Sequence, residues 1–299
     1  MRRWREVTDY LEDRQARPAE MLFPMAGDRA TMSKHLYAAA VCTLVLLGAA
    51  LAGCVAAEQS AGPAEDRDIL YQASTIDALL LGAYDGCISI GELRAHGDFG
   101  IGCLHKLDGE LVAVDGGFYQ IRHDGTVHPV ADVETAPFAA VTFFDSDETI
   151  MLDGPMNLTV LQERVLEHLP SENYFYAIRI DGTFPSVEAR SVPAQERPYP
   201  RLVDVVADQS VFSFQNETGS LVGFWTPAFA EGINVPGYHF HFITDDRTGG
   251  GHVLDLYLEE AEVQIDMTPD FSMSLPTGGD FPGLDLSGGL QEDLATVER

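Results

Sequence analysis

The stretch GYHFHFITDDRTGGGH, Gly237 to His252, holds three of the chain's nine histidines, and its reading decides the fold of the C-terminal half. Tyr238 to Thr244 alternates aromatic residues with histidine, the period of a strand. Residues two apart on a strand share a face, so His239 and His241 project together while Phe240 and Phe242 point the other way into a core. Asp245 to Gly251 has the composition of a turn, and Val253 to Ile265 reads as the returning strand. An antiparallel return sets His252 opposite the first pair, where cross-strand Cβ atoms lie about 4.5–5.5 Å apart. Three imidazoles then converge on one point. Three neutral nitrogen ligands with an open fourth position form the donor set of a catalytic zinc site. Asp245, Asp246 and Asp255 are the nearby residues from which a fourth protein ligand would come.

Working outward, the elements on either side are short. Ser74 is placed to cap a helix running to Tyr84, and Ile90 to His96 reads as a second helix stopped by Gly97. Gly102 to Val130 contains Asp108-Gly109, Asp115-Gly116 and Asp124-Gly125 between short apolar runs. Such pairs supply the positive φ of tight turns, so this region is a meander. Phe138 to Phe144 is a buried strand, and Asn157 to Leu169 an amphipathic helix ended by Pro170. Two strands are expected around Asp181-Gly182, a helix near Leu202 to Ala207, and a strand from Val211 to Thr226. Pro276 to Gly289 reads as a loop before the tail Gln291 to Arg299. The fold class is α+β: a two-lobed mixed fold with largely antiparallel or mixed sheets and few short helices. The zinc site sits on a β-hairpin of its C-terminal half.

The chain has 299 residues with 18 Lys+Arg against 47 Asp+Glu. From Val55 onward the balance is 11 basic to 41 acidic, so the acidity belongs to the part expected to fold. Such a surface repels nucleic acid phosphates and anionic lipid headgroups, which excludes nucleic acid as a partner. Met32 opens MSKHLYAAAVCTLVLLGAALAGC, with a basic start and an apolar run of 17 residues from Leu36 to Ala52. A run of that length is at the lower limit for a membrane-spanning helix. Leu51-Ala52-Gly53-Cys54 resembles the lipobox of bacterial lipoproteins, which implies lipidation of Cys54 and an exported protein held to the outer face of the membrane only by that anchor. Residues 1–31 then precede the true start, 32–54 are the signal, and 55–68 a flexible tether. An N-terminal lobe follows over 69–170, and a zinc-binding lobe over 171–299 whose tail folds back to the site. Of the four cysteines, Cys42 leaves with the signal, Cys54 carries the lipid, and Cys87 and Cys103 remain, with their pairing open.

A cupin barrel also uses His-x-His, but with a glutamate a few residues later, which this chain lacks. The sequence instead resembles the alpha-acetolactate decarboxylase family from about Ile69 to Arg299. The stretches GAYDGCISIGELRAHGDFGIG, LDGELVAVDGGFYQIRHDGTV, FYAIRIDGTF, RSVPAQERPYP and GYHFHFITDDRTGGGHVLD carry the resemblance. It implies zinc ligands at His239, His241 and His252, an active-site glutamate at Glu110, a substrate-contacting arginine at Arg190, and a second glutamate at Glu298. It also implies a homodimer. Cys103 departs from the family's usual threonine, which removes a hydroxyl from beside the site.

The activity implied is zinc-dependent decarboxylation of 2-acetolactate to acetoin and CO2 through a metal-stabilised enediolate. Two other readings share the histidines. A zinc hydrolase or hydratase would use metal-bound hydroxide, and a non-catalytic lipoprotein would capture metal or ligand with full protein coordination. Acetoin release separates them.

Overall fold

The computed structural model describes residues 67–298. The expected extension, signal, Cys54 and nearly all of the tether lie outside the described residues. Among the described residues no helix is long and apolar enough to cross a membrane.

Eight strands form in the first half: β1 (Ile69–Ala73), β2 (Ile88–Ser89), β3 (Phe99–Cys103), β4 (Glu110–Val114), β5 (Gly117–Ile121), β6 (Val127–Pro129), β7 (Thr135–Ala136) and β8 (Phe138–Thr142). Six more follow: β9 (Glu148–Asn157), β10 (Phe175–Ser191), β11 (Ser210–Thr226), β12 (Gly237–Thr244), β13 (Gly250–Thr268) and β14 (Asp270–Ser274). The first sheet runs β14-β1-β8-β3-β4-β5-β6, and all its pairings are antiparallel except β1 with β14. The second runs β10-β11-β12-β13-β9, and β10 also pairs with β13, so four of its strands close on themselves. The chain passes to the second sheet at β9, within 69–170, and comes back to the first with β14.

Side-chain alternation sorts the core. On β4, Val112 and Val114 join Phe175, Ala177, Val222 and Phe224 of the second sheet, while Leu111 and Ala113 face helix α2 (Ile90–Arg94). Glu110 has the parity of Val112, so it points between the sheets. The remaining helices are α1 (Ile76–Leu80), α3 (Leu158–Leu166), α4 (Leu202–Val206) and α5 (Gln291–Val297). α1, α4 and α5 gather around Cys103, Leu107, Phe138 and Val192 in one apolar cluster.

Local signals explain several boundaries. Thr75, not Ser74, caps α1 by accepting from the Ala78 amide at 3.2 Å, because Ser74 takes φ +64 and leaves the cap to its neighbour. Ser89 and Glu92 form the reciprocal capping box that starts α2. Asn157 caps α3 through Val160 at 3.0 Å. The turn expected at Asp181-Gly182 is absent: β10 is one strand of 17 residues. Gly182 lies opposite Gly219 on one edge and Ala261 on the other, so neighbours on both sides hold it extended. The sequence shows no strand signal at β1, β9 and β14 or at the two-residue strands β2 and β7; Gly154 and Pro155 break the alternation of β9. The tail read after the loop is helical from Gln291.

Candidate metal centre

The hairpin forms as its alternation dictates. His241 on β12 lies directly opposite His252 on β13, with Phe242 opposite Gly251 and Ile243 opposite Gly250. Close approach sets the composition of the turn. A Cβ on Gly250 would sit 2.3 Å from the Phe242 carbonyl oxygen, so no larger residue fits that register. Phe242 points to the opposite face, against Phe184 and Phe214.

One nitrogen from each of His239, His241 and His252 falls in a group whose members all lie within 4.8 Å of one another. The rings are 9 %, 1 % and 3 % exposed. The imidazole of His241 donates from Nδ1 to the Leu111 carbonyl at 3.0 Å, which leaves Nε2 a bare lone pair. His239 Nε2 and His252 Nδ1 approach to 3.1 Å, and His239 Nδ1 is buried with no partner. Burial, with Arg190 close by, pushes His239 down to about 3. Burial first, then the neighbouring imidazoles and Arg190, hold His241 and His252 well below the usual histidine range. All three are therefore neutral at physiological pH, as ligands must be. Uncompensated buried nitrogens and converging lone pairs fit a divalent ion. Asp245, Asp246 and Asp255 are exposed and outside this group, and Asp246 instead accepts from Thr244 and Thr248 in the turn.

Arg190 on β10 is the direct cross-strand partner of His252, so His241, His252 and Arg190 form a row across three adjacent strands. Its guanidinium is buried and donates from Nη1 to Glu110 Oε1 at 3.4 Å and from Nη2 to the Val297 carbonyl at 3.1 Å, while Nε has no partner. Glu110 arrives from the first sheet, with Oε2 at 3.6 Å from His241 Nε2. Glu298 arrives from the C-terminal tail, with Oε2 at 3.6 Å from His252 Nε2. Burial raises the Glu110 carboxyl to about 7, with Arg190 opposing and Glu298 adding to the rise. Burial likewise raises Glu298 to about 7 against the pull of Arg190. Two carboxyls that are half-protonated near neutrality thus flank three neutral imidazoles.

All six residues read from the sequence line one cavity of about 40 Å³, closed by Ile76, Leu79, Phe138, Leu202 and Val297. Cys103 lies opposite Glu110 in the β3–β4 pair and also lines the cavity. It and Cys87 are free thiols. Burial and the charge of Glu110 keep the Cys103 thiol protonated, with its pKa well above the usual range. The part of the site that sequence reasoning missed is the Leu111 carbonyl, a main-chain group that leaves no residue signature.

The arrangement can hold an ion, neutralise charge and move protons within one shared cavity. The family described as alpha-acetolactate decarboxylase matches residues 70–288 of the chain. The chain is 54 % identical over 232 residues to the alpha-acetolactate decarboxylase of Methanosarcina mazei, covering 78 % of this chain and 81 % of that relative. To the Bacillus subtilis alpha-acetolactate decarboxylase it is 45 % identical over 230 residues, covering 77 % and 90 %. The X-ray structure of alpha-acetolactate decarboxylase from Bacillus subtilis strain 168 aligns with a TM-score of 0.75 at 44 % identity, covering 77 % of this chain and 99 % of that one.

Proposed function

The chain belongs to the alpha-acetolactate decarboxylase family, and from that premise we propose that its histidine centre holds zinc and converts 2-acetolactate to acetoin and CO2. The observation that carries the reading is the closed cluster itself. Three buried imidazoles converge beside two carboxyls, Glu110 and Glu298, and an arginine with one unpaired nitrogen. His239, His241 and His252 would hold the ion, which when bound supplies Lewis-acid stabilisation for charge developing on the ketone and hydroxyl oxygens of the substrate. Neutral ligands leave the ion its full charge.

The residues do the rest. Arg190, a planar fork fixed on both Nη atoms, has Nε free to donate to a substrate oxygen and so to orient it. Loss of CO2 leaves an electron pair that the adjacent ketone takes up as an enediolate. That species needs one proton on carbon to become acetoin. A carboxyl beside the ion is placed to deliver it, and Glu110 and Glu298 both qualify by position. Burial behind Ile76, Leu79 and Phe138 keeps bulk water from competing.

The test is acetoin and CO2 release from acetolactate by the full-length protein, before and after chelation, alongside His241→Ala. Activity should vanish with chelator, return with zinc, and be absent in the variant. Acetoin production that survives full chelation removes the metal from the reading, and no acetoin under any condition removes the decarboxylase. For location we propose export and anchoring through a lipid on Cys54, with the enzyme meeting acetolactate outside the cell as a homodimer. Equal labelling by radioactive fatty acid after Cys54→Ala would exclude the anchor, and a monomer in sedimentation would exclude the dimer.

A further inference from the structure

We propose that helix α5 is the door of the site and that the ion pair between Arg201 and Asp293 is its latch. These two side chains are then positioning residues for Glu298. The inference rests on the reading that Glu298 works at the metal.

The cover sets how much room the substrate has. Acetolactate has five carbons and four oxygens, and with α5 seated the cavity of about 40 Å³ has room for only a few waters before it opens to solvent. The floor of the cavity is strand, paired on both edges at His241, His252 and Arg190. The cover is α5, whose buried residues are Leu294 and Val297 alone. It hangs from the segment 275–290, whose backbone hydrogen bonds among the described residues run within itself, from Gly283 to Asp280 and from Leu284 to Phe281, or on into α5, from Leu294 to Leu290, and which an Arg197–Asp280 ion pair holds at its far end. Immediately before the helix stand Gly288 at φ +117 and Gly289 at φ +93, with nothing within 4 Å of where either Cβ would be. Two glycines in left-handed backbone with open space around them make a hinge.

Several ties hold the door shut. Leu294 and Val297, with Leu290 beside them, join the cluster of Ile76, Leu202, Val205 and Val206, and Glu298 lies 3.6 Å from His252. Arg190 donates to the Val297 carbonyl at 3.1 Å. Arg201 pairs with Asp293 from the residue that begins α4, next to Leu202 of the cavity wall. The Arg190 tie lies inside the site, on the guanidinium that meets substrate, so an arriving substrate competes with the door for it. The Arg201–Asp293 tie lies outside, with side chains 46 % and 25 % exposed, and is independent of substrate. It sets how much of the time Glu298 is seated.

Zinc release from the loaded full-length protein to a chromophoric chelator reads the opening without turnover. Asp293→Asn should release zinc about two- to fivefold faster at low salt, the range of an exposed ion pair. Raising the ionic strength should speed release from the wild type more than from the variant, because salt weakens the ion pair in addition to the chain's general negative field. Exchanging the charges, Arg201→Asp with Asp293→Arg, should restore the slow rate and the larger salt effect, with an unchanged thermal midpoint confirming folding. Equal release rates in Asp293→Asn and wild type, or a salt effect no larger in the wild type than in the variant, would overturn the latch. Glu298→Gln distinguishes this from a failure of the functional reading. It should cut turnover and leave release unchanged; undiminished turnover there takes Glu298 out of the chemistry while the release data still judge the door.

Discussion

The histidine floor and the carboxylate that closes over it lie 3.6 Å apart at His252 and Glu298, yet the chain holds them by different means. His239, His241, His252 and Arg190 sit on strands of a sheet whose members close on themselves; His241, His252 and Arg190 are each in register with two neighbours and His239 with one. Glu298 stands at the end of a seven-residue helix with two buried side chains. The floor needs preorganisation, since three lone pairs must meet with little reorganisation. The cover is held by fewer contacts and is free to move on the proposal above. Histidines and carboxylate are thus carried by parts of the fold with more and with less cross-linking.

Perturbing the two regions should have effects of different kind and size. The largest is His241→Ala, which should abolish zinc retention and lower turnover by well over the roughly 100-fold limit typical of changes outside the ligand shell, read by metal content and acetoin release. Glu298→Gln should lower turnover by about 10²–10⁴, the range for a lost acid–base group, while the unfolding midpoint in urea and the metal content hold. Unchanged turnover would show that the cover has no chemical role. Gly250→Ala strikes the floor through its backbone. The added methyl meets the Phe242 carbonyl and Ile121, so stability should fall by about 1–3 kcal/mol in urea, with weaker zinc binding.

The smallest effect concerns pH. In the metal-free protein Glu110 is raised from its ordinary value to about 7, so the folded state holds a proton that the unfolded chain has lost. Its contribution is complete below about pH 4.3 and is lost as pH rises through 7. Wild-type stability should therefore fall between pH 5 and pH 8, and Glu110→Gln should flatten that fall by on the order of 1 kcal/mol. A slope identical to wild type would mean that Glu110 is not held protonated.

The hairpin was legible because its information is local. Alternation aligned His239 with His241, and the DDRTGGG turn returned His252. The meander before Val130 was equally plain from its three Asp-Gly pairs. β10 misled because Asp181-Gly182 carries a turn's composition, and only pairing on both edges keeps it extended. β1 and β14 were invisible as partners, since their pairing joins Ile69 to Asp270. Glu110, Arg190 and Glu298 had no local signature either, and only the family resemblance singled them out.

Sequence by itself determined the donor set. Period-two patterning and turn chemistry act within a few residues, so they state which three imidazoles share a face. Tertiary structure alone decided that these imidazoles are neutral and that Glu110 and Glu298 are raised to about 7. It also decided that Arg190 has a nitrogen to spare and that a short helix shuts the cavity. The reason is physical: pKa values and closure depend on desolvation and on charges brought close from segments more than a hundred residues apart, and no stretch of chain carries its own solvent.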